Sequence, residues 1–248
     1  MFGNHFYHAT TRKAVALFGT IFNNISVIRQ DGSGNVLNQV KVPLAYGPKQ
    51  KFLSRLDSVT GQDASMAIKL PRMGFEITSM DIDSTQKLGK RNQIVENHAT
   101  DSTKKKTIKQ AVAYNINMSL FAMAKNQDDG LQIMEQILPY FQPEYTVTIT
   151  PVNGFSYKQD VPIILSAVTI QDDYEGDYQT RRALIYQFDF VMKMKYFGPT
   201  ADQGVIREIN LDFNADAGGE NILENMDFTI TPSSANEDDD YTVNVSIT

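Results

Sequence analysis

Two of the three histidines lie close enough in sequence to suggest a shared metal ion. His5 and His8 are three residues apart, a spacing that brings two imidazole rings onto one face of a helix. A metal site needs further ligands, and no neighbouring Asp, Glu or Cys supplies them. His98 lies in a polar, Lys-rich stretch and is expected to be solvated, and no G-x-S-x-G motif supports a Ser-His-Asp site. A metal-dependent hydrolase is therefore the least favoured function.

Four acidic residues crowd one short segment that at first resembles a calcium loop. They are Asp172, Asp173, Glu175 and Asp177. An EF-hand loop needs a Glu at its twelfth position, followed by a helix. Here the twelfth position is Ala183, and the residues after it alternate as a strand. We therefore expect a solvated acidic turn, whose charge could orient a partner.

The densest basic cluster is formed by Lys104, Lys105 and Lys106, with Lys109 close by. Nucleic-acid surfaces interleave basic and aromatic side chains, and this cluster contains no aromatic residue. The whole chain also carries a net charge of −6, so sequence-specific nucleic-acid binding is not expected. The cluster is predicted to face acidic groups of a neighbouring copy or of another protein. No cofactor is expected, since no Gly-rich phosphate-binding motif is present.

Charge and composition limit the classes of protein to which the chain can belong. Residues 1–199 contain 22 Lys/Arg and 18 Asp/Glu, a balance of +4, whereas residues 200–248 contain one Arg and 11 acidic residues, a balance of −10. The absence of cysteine excludes disulfides, thiolate metal sites and thiol nucleophiles. The chain has no apolar run long enough for a membrane helix, and its first residues do not match a secretory signal. These features predict a protein of a reducing cytosol that does not bind membranes.

Hydrophobic periodicity assigns most of the elements. Apolar residues at helical spacing predict helices that start at Thr10 or Thr11, at Pro48 and near Asn126. Alternation predicts a hairpin over 25–45, turning at Asp31–Asn35, and an extended segment over 66–83. The cleanest alternation covers 108–125 and predicts a long strand with one buried face. Further alternating runs cover 145–152, 161–171, 181–197, 205–213, 227–231 and 241–247.

The segment Asn126–Pro143 is predicted to be an amphipathic helix that proline ends. Asn126 or Asp128 could accept a hydrogen bond from a free amide of the first turn, and the acidic side chains suit the positive end of the helix dipole. Pro139 is expected to push the residue before it away from helical geometry. The apolar side chains at helical spacing indicate burial. They are Leu131, Met134, Ile137 and Leu138.

This order of elements favours the α+β class, with a mainly antiparallel sheet and flanking helices. Residues 1–199 are predicted to form one domain, with a long hairpin arm in the Lys-rich excursion at 84–107. Residues 200–248 are predicted to be an extended, acidic C-terminal segment. Long strands with polar outer faces leave open sheet edges, which proteins commonly cover by forming oligomers.

One stretch carries a family resemblance, and we name it the signature segment: Ile133–Pro143, with the sequence IMEQILPYFQP. It closely resembles a segment of the tail sheath stabiliser and completion proteins of T4-like contractile-tailed phages. Elsewhere the resemblance rests on Met1-Phe-Gly3, Leu17…Phe22-Asn-Asn-Ile25, Val42-Pro-Leu-Ala-Tyr46, the pair Arg181-Arg182 and Ile206-Arg207. It covers roughly residues 1–215, and the Lys-rich excursion has no match within it.

The resemblance implies a structural virion protein, not an enzyme. Such proteins form a homohexameric ring at the head-proximal end of the tail, bind the tail sheath protein and the tube-completion protein, and join the tail to neck proteins. Assembly would take place in the host cytoplasm. The candidate interface residues are the lysine cluster, the acidic turn, Arg181 and Arg182. The residues expected to act as scaffold are Ile137, Leu138, Pro139, Tyr140, Phe141 and Pro143.

A second virion role stays open on these residues. Another ring protein of the neck or of the tube end would share the absence of catalytic groups, the open sheet edges and the segregated charge. Its position on the tail would distinguish it from a sheath stabiliser.

Overall fold

A long six-stranded sheet dominates the first of two units into which the chain divides. The computed structural model describes residues 5–57, 70–86, 89, 91–98, 104–174, 181–204, 206, 208–215, 222–233 and 240–248. Met1–Gly89 and Ala111–Phe197 form unit 1, whereas Lys90–Gln110 and Gly198–Thr248 form unit 2. The units therefore interleave along the chain. The assignment of domains to 1–199 and 200–248 stays a prediction.

The described residues form three helices and fourteen strands. The helices are α1 (Thr10–Phe22), α2 (Lys49–Asp57) and α3 (Gln127–Ile137). The strands are β1 (Ser26–Gln30), β2 (Val36–Lys41), β3 (Leu44–Tyr46), β4 (Arg72–Ile82), β5 (Gln93–Asn97), β6 (Lys104–Lys109), β7 (Val112–Ala124), β8 (Glu144–Ile149), β9 (Gln159–Tyr174), β10 (Arg181–Tyr196), β11 (Thr200–Gly204), β12 (Glu208–Asn214), β13 (Ile222–Thr231) and β14 (Thr242–Ile247). The α+β class is confirmed. Within the described residues, no helix is both long and apolar enough to cross a membrane.

The main sheet of unit 1 has the strand order β3-β4-β7-β10-β9-β8 and is mixed. Four of its pairings are antiparallel, but β3 runs parallel to β4, with Leu44 opposite Met73 and Tyr46 opposite Phe75. The sequence predicted one hairpin over 25–45, and that prediction is wrong at its end. The β1–β2 hairpin stops at Lys41, and the chain then enters the main sheet after Pro43.

Strand β7 is more deeply buried than its alternation predicted. Its N-terminal half mixes buried and accessible residues, but Met118–Ala124 are all buried. Helix α2 explains the difference, because Phe52 packs edge-on against Phe121, with ring centroids 5.3 Å apart. Met123 and Ile185 complete this second, smaller core. The sequence did not reveal it, since a face covered by a distant helix has no local signal.

Aromatic rings fill the main core between α1 and the sheet. The Phe18 ring lies 4.9 Å from that of Phe22 and 5.3 Å from that of Phe190, centroid to centroid. Phe141 reaches the same cluster, 5.0 Å from Phe190 and stacked on Phe22 at 6.1 Å. Tilted and edge-on contacts at these distances are the favoured geometry for aromatic pairs. The predicted helix α1 is therefore confirmed, with Ala14, Phe18 and Phe22 buried.

Unit 2 contains two three-stranded antiparallel sheets. The first, which we call the Lys sheet, has the order β11-β6-β5, with the lysine-rich β6 in the middle. The second, the C-terminal sheet, has the order β12-β13-β14. The three alternating runs predicted beyond residue 204 thus coincide with strands. Their pairing into one sheet was not predicted, since the sequence indicated only an extended segment.

Candidate functional site

The signature segment begins within α3, whose first turn is acidic. Asn126 precedes the helix in extended geometry (φ −110°, ψ 146°), but within the described structure its side chain makes no capping hydrogen bond. Asp128 instead accepts a hydrogen bond from Gln132 Nε2 (2.7 Å), and Asp129 Oδ2 pairs with Arg29 Nη2 at 3.0 Å. The predicted side-chain cap is therefore wrong. Both carboxylates still lie where the helix dipole favours negative charge.

Two glutamines on α3 bind the outer edge of β1. Gln132 accepts a hydrogen bond from Ile28 N and donates one to Ile28 O, both at 2.9 Å. Gln136 donates to Ser26 O at 2.8 Å and accepts from Ser26 N at 3.4 Å. Four residues of helix rise about 6 Å and two residues of strand about 6.8 Å, so the two spacings match. The sequence analysis did not predict these contacts. Two glutamines four residues apart, beside an apolar stripe, are the sequence feature that could have indicated them.

The buried face of α3 is centred one position away from the predicted stripe. Gly130, Ile133 and Ile137 are buried, whereas Leu131 and Met134 only flank the core. Gly130 is required by close packing: a Cβ there would lie 2.1 Å from Cε2 of Tyr186. The prediction that the stripe is core is confirmed for Ile137. The helix therefore positions the signature segment rigidly on β10.

At the end of the helix, two neighbouring aromatic residues point in different directions, one into the core and one towards solvent. Leu138 keeps helical geometry (φ −55°, ψ −43°) and donates to Met134 O, so the expected effect of Pro139 on Leu138 is wrong. A 3₁₀ turn over Leu138–Tyr140 follows, and Phe141 N closes it by donating to Leu138 O at 3.2 Å. Phe141 points into the core cluster, whereas Tyr140 is 67% exposed. The turn therefore anchors the chain with one ring and presents the other.

Tyr140 forms one wall of an apolar groove of about 690 Å³ on unit 1. Helix α1 contributes Leu17 and Ile21, and β8 contributes Tyr145 and Val147. In the main sheet β8 is an edge strand, paired with β9 along one side. The groove and the edge lie together, and the signature segment links them. We take this groove as the candidate site for contact with a tail partner.

The predicted lysine cluster lies on β6, and part of its charge is compensated within the chain. Lys106 lies directly opposite Glu96 on one neighbouring strand and Asp202 on the other. Opposite charges in such cross-strand pairs stabilise a sheet. Lys105 lies opposite Asn97 and Gln203, and the exposed Lys104 lies opposite Gly204.

The predicted acidic turn and arginine pair lie at the far end of the β9–β10 hairpin. Asp172 is opposite Leu184, Asp173 is opposite Ala183, and Arg181 is opposite Tyr174. Arg182 follows in β10, whereas Glu175 and Asp177 lie outside the described residues. The acidic turn belongs to unit 1 and the lysine cluster to unit 2. Their roles at an interface stay predictions.

The ionisable groups with shifted pKa values serve local structure. The Asn35 and Ser33 backbone amides donate hydrogen bonds to the Asp31 carboxylate and lower its pKa, and these bonds hold the predicted hairpin turn. The Thr85 hydroxyl, 2.5 Å away, lowers the pKa of Asp83. Burial raises the pKa of Tyr196. Among the residues that the structure describes, no three His, Cys, Asp or Glu side chains converge as a metal site would require.

Comparison with known proteins gives a match over both units. The sequence profile of the T4-like virus Myoviridae tail sheath stabiliser family matches residues 5–248. The chain is also 29% identical, over 261 aligned residues, to the tail completion protein gp15 of Enterobacteria phage T4. That alignment covers 100% of this chain and 94% of the T4 protein. The resemblance inferred from the signature segment is thereby confirmed.

Proposed function

Because the chain belongs to the T4-like virus Myoviridae tail sheath stabiliser family, we propose that it forms a homohexameric ring at the head-proximal end of a contractile tail. The ring binds the last sheath ring and the tube-completion protein, and joins the tail to the neck. Its role is structural and non-catalytic. The observation that carries this proposal is the family match over residues 5–248, which includes both units and makes the chain a virion component of the tail.

Several features of the fold support a role in assembly. The edge strand β8 of unit 1 and the edge strands β5, β11, β12 and β14 of unit 2 offer backbone groups that a partner strand can pair with, and proteins rarely leave such edges long and uncovered. The charged candidates Lys104, Lys105 and Lys106 belong to unit 2, whereas Arg181 and Arg182 belong to unit 1. We assign these groups to contacts between subunits and tail partners, where charge directs orientation more than affinity.

We assign the groove beside Tyr140 to the terminal subunit of the sheath. Its wall is the signature segment, whose likeness to sheath stabilisers is the most specific in the chain. Tyr140→Ser should weaken binding to sheath-covered tail ends about tenfold, since an exposed aromatic anchor at an interface commonly contributes more than 1 kcal/mol. Tyr7→Ser is the matched control, because Tyr7 is similarly exposed at 70% but lies outside the groove. Equal binding by both variants would contradict the assignment.

The proposed function is tested by adding the purified protein to tails assembled without it. Electron microscopy should show a ring at the head-proximal end and a sheath that no longer disassembles. A ring on bare tube ends that leaves the sheath unstable would instead indicate a tube-completion protein. Protein that binds neither sheath nor tube ends would refute the proposal.

A further inference from the structure

The turn between β8 and β9 contains the one Asn-Gly pair in the sequence, Asn153-Gly154. Both residues are exposed, and Gly154 has a φ of +84°, a conformation that favours glycine. An asparagine side chain that precedes glycine can close a five-membered ring onto the next backbone nitrogen, because glycine has no Cβ to obstruct the approach. The two reacting groups are already neighbours in the chain, so the reaction is intramolecular.

The attacking group in such a reaction is the backbone nitrogen of Gly154. Among the residues that the structure describes, the Gly154 amide finds no hydrogen-bond acceptor, and Nδ2 of Asn153 finds none either. Gly34, in the β1–β2 turn, has the same φ, but its amide donates to Asp31 O at 3.0 Å. Attack by Gly154 therefore costs no hydrogen bond within the described chain, whereas the Gly34 amide would first have to give one up.

The group under attack, the side-chain carbonyl of Asn153, contacts a fixed cation. Lys13 Nζ donates a hydrogen bond to Asn153 Oδ1 at 3.2 Å. The same ammonium group donates to Thr150 O at 3.1 Å and to Pro151 O at 2.9 Å, and these two carbonyls hold it in place. Attack on Cγ moves negative charge onto Oδ1, and a cation that is already positioned there stabilises the transition state. Lys13 therefore lies where an oxyanion donor is needed.

We propose that Asn153 is a site of spontaneous deamidation in the folded protein and that Lys13 accelerates the reaction. The Gly154 nitrogen loses its proton and forms a bond to Cγ of Asn153, and the bond between Cγ and Nδ2 then breaks. The departing amide group takes up the proton and leaves as ammonia, so that a succinimide remains. Water adds to either carbonyl of the succinimide and gives aspartate or isoaspartate at position 153.

The modified turn connects two walls of the groove beside Tyr140. Lys13 lies about one helical turn before Leu17 on α1, and Val147 lies on β8, shortly before the turn. A new carboxylate replaces the neutral hydrogen bond to Lys13 with an ion pair, which ties the turn to α1 more firmly. Isoaspartate lengthens the backbone by one methylene group and loosens the same tie. Any effect on sheath binding rests on the proposed function, whereas the reaction itself does not.

The first test follows the full-length protein by peptide mass spectrometry during incubation at neutral pH. The exchange of NH₂ for OH should occur at Asn153 before any other asparagine. Lys13→Met should slow it about tenfold, less than the roughly 10²–10³-fold effect of an oxyanion donor in a closed active site. Lys13→Arg retains a cationic donor and should convert faster than Lys13→Met. Lys51→Met, which removes an exposed lysine of α2, is the matched control and should convert at the wild-type rate.

The decisive test compares the wild-type chain in its folded state and unfolded in urea. Asn153 should convert faster in the folded protein, because only the folded chain places Lys13 on Oδ1. This comparison needs no substitution, so it holds even if Lys13→Met loosens the turn. Slower conversion in the folded protein would overturn the proposal, as would a Lys13→Met protein that converts as fast as wild type. Ring formation on tail ends is scored separately, so the proposed function survives either result.

Discussion

The two units bury their apolar residues in different ways. In unit 1, the central strands β7 and β10 are covered by α1, α2 and α3, and side chains such as Phe190 are 1% exposed. In unit 2, β12 and β14 consist of exposed residues, including Phe213 at 50%. The strands also pair over different lengths: β7 and β10 pair over thirteen residues, whereas β13 and β14 pair over six. Unit 1 is therefore stabilised by its own core, whereas the C-terminal sheet of unit 2 leaves the apolar side chains of β12 and β14 exposed.

Truncation of an aromatic residue in each unit gives the largest expected contrast. Phe190→Ala should lower the free energy of unfolding by about 3–5 kcal/mol, since it removes a fully buried ring from the aromatic cluster. Phe213→Ala should change it by less than about 1 kcal/mol, because half of that ring already meets water. Urea unfolding of the two variants measures both. Equal losses would show that the C-terminal sheet is covered within the single chain.

A single added methyl group should also distinguish the units. Gly130→Ala should destabilise the protein by about 2 kcal/mol, because the new Cβ overlaps the buried Tyr186 ring. Gly204→Ala, in β11 of unit 2, has open space around it and should be almost neutral. Thermal unfolding with the same probe provides the comparison. A helix stabilised by Gly130→Ala, as exposed helical glycines are, would contradict the close packing of α3 on β10.

The glutamine contacts of α3 predict a smaller loss. Gln136→Met keeps the side-chain length but leaves Ser26 N and O without their partner, at a cost of about 1–2 kcal/mol. Gln142→Met is the control, since Gln142 makes one exposed hydrogen bond to Pro139 O. Hydrogen exchange of the β1 amides would report the effect directly. No change in that exchange would mean that water replaces the glutamine without loss.

The smallest effect is a pH dependence at the β1–β2 turn. Folding lowers the pKa of Asp31 from its usual 3.8, so the ionised carboxylate stabilises the hairpin above that pH. This contribution is lost as the pH falls through the lowered pKa. The stability difference between wild type and Asp31→Ala should therefore shrink on acidification below about pH 4. A difference that is constant from pH 7 to pH 2 would contradict the role of the charge.

Local signals in the sequence predicted the elements, and contacts between distant elements account for what it missed. The helical spacing of Ala14, Leu17, Phe18, Ile21 and Phe22 predicted α1, and the turn chemistry at Asp31–Asn35 predicted the first hairpin. The same kind of signal could not reveal that Leu44–Tyr46 pairs in parallel with β4, because pairing depends on residues almost 30 positions away. The Gln132 and Gln136 contacts with β1 were missed for the same reason.

The candidate site was only partly predictable from the sequence. The signature segment identified the family, and Phe141, which the sequence predicted to be a scaffold residue, packs against the main core. Tyr140 points outward because of the 3₁₀ turn. The expectation that Pro139 disfavours helical geometry at Leu138 did not predict that turn. The lysine cluster looked uniform in sequence, whereas the register of β6 assigns Lys106 to acidic neighbours and Lys105 to a different face.

Hydrogen exchange of the protein before and after it binds tail ends tests the central claim most directly. We expect amides of β12 and β14 to exchange quickly in the unassembled chain and at least tenfold more slowly once it is bound, as burial restricts local opening. Amides of β7 and β10 should be protected equally in both states. A C-terminal sheet that is as protected as β7 before binding, or that is unchanged after binding, would contradict the account.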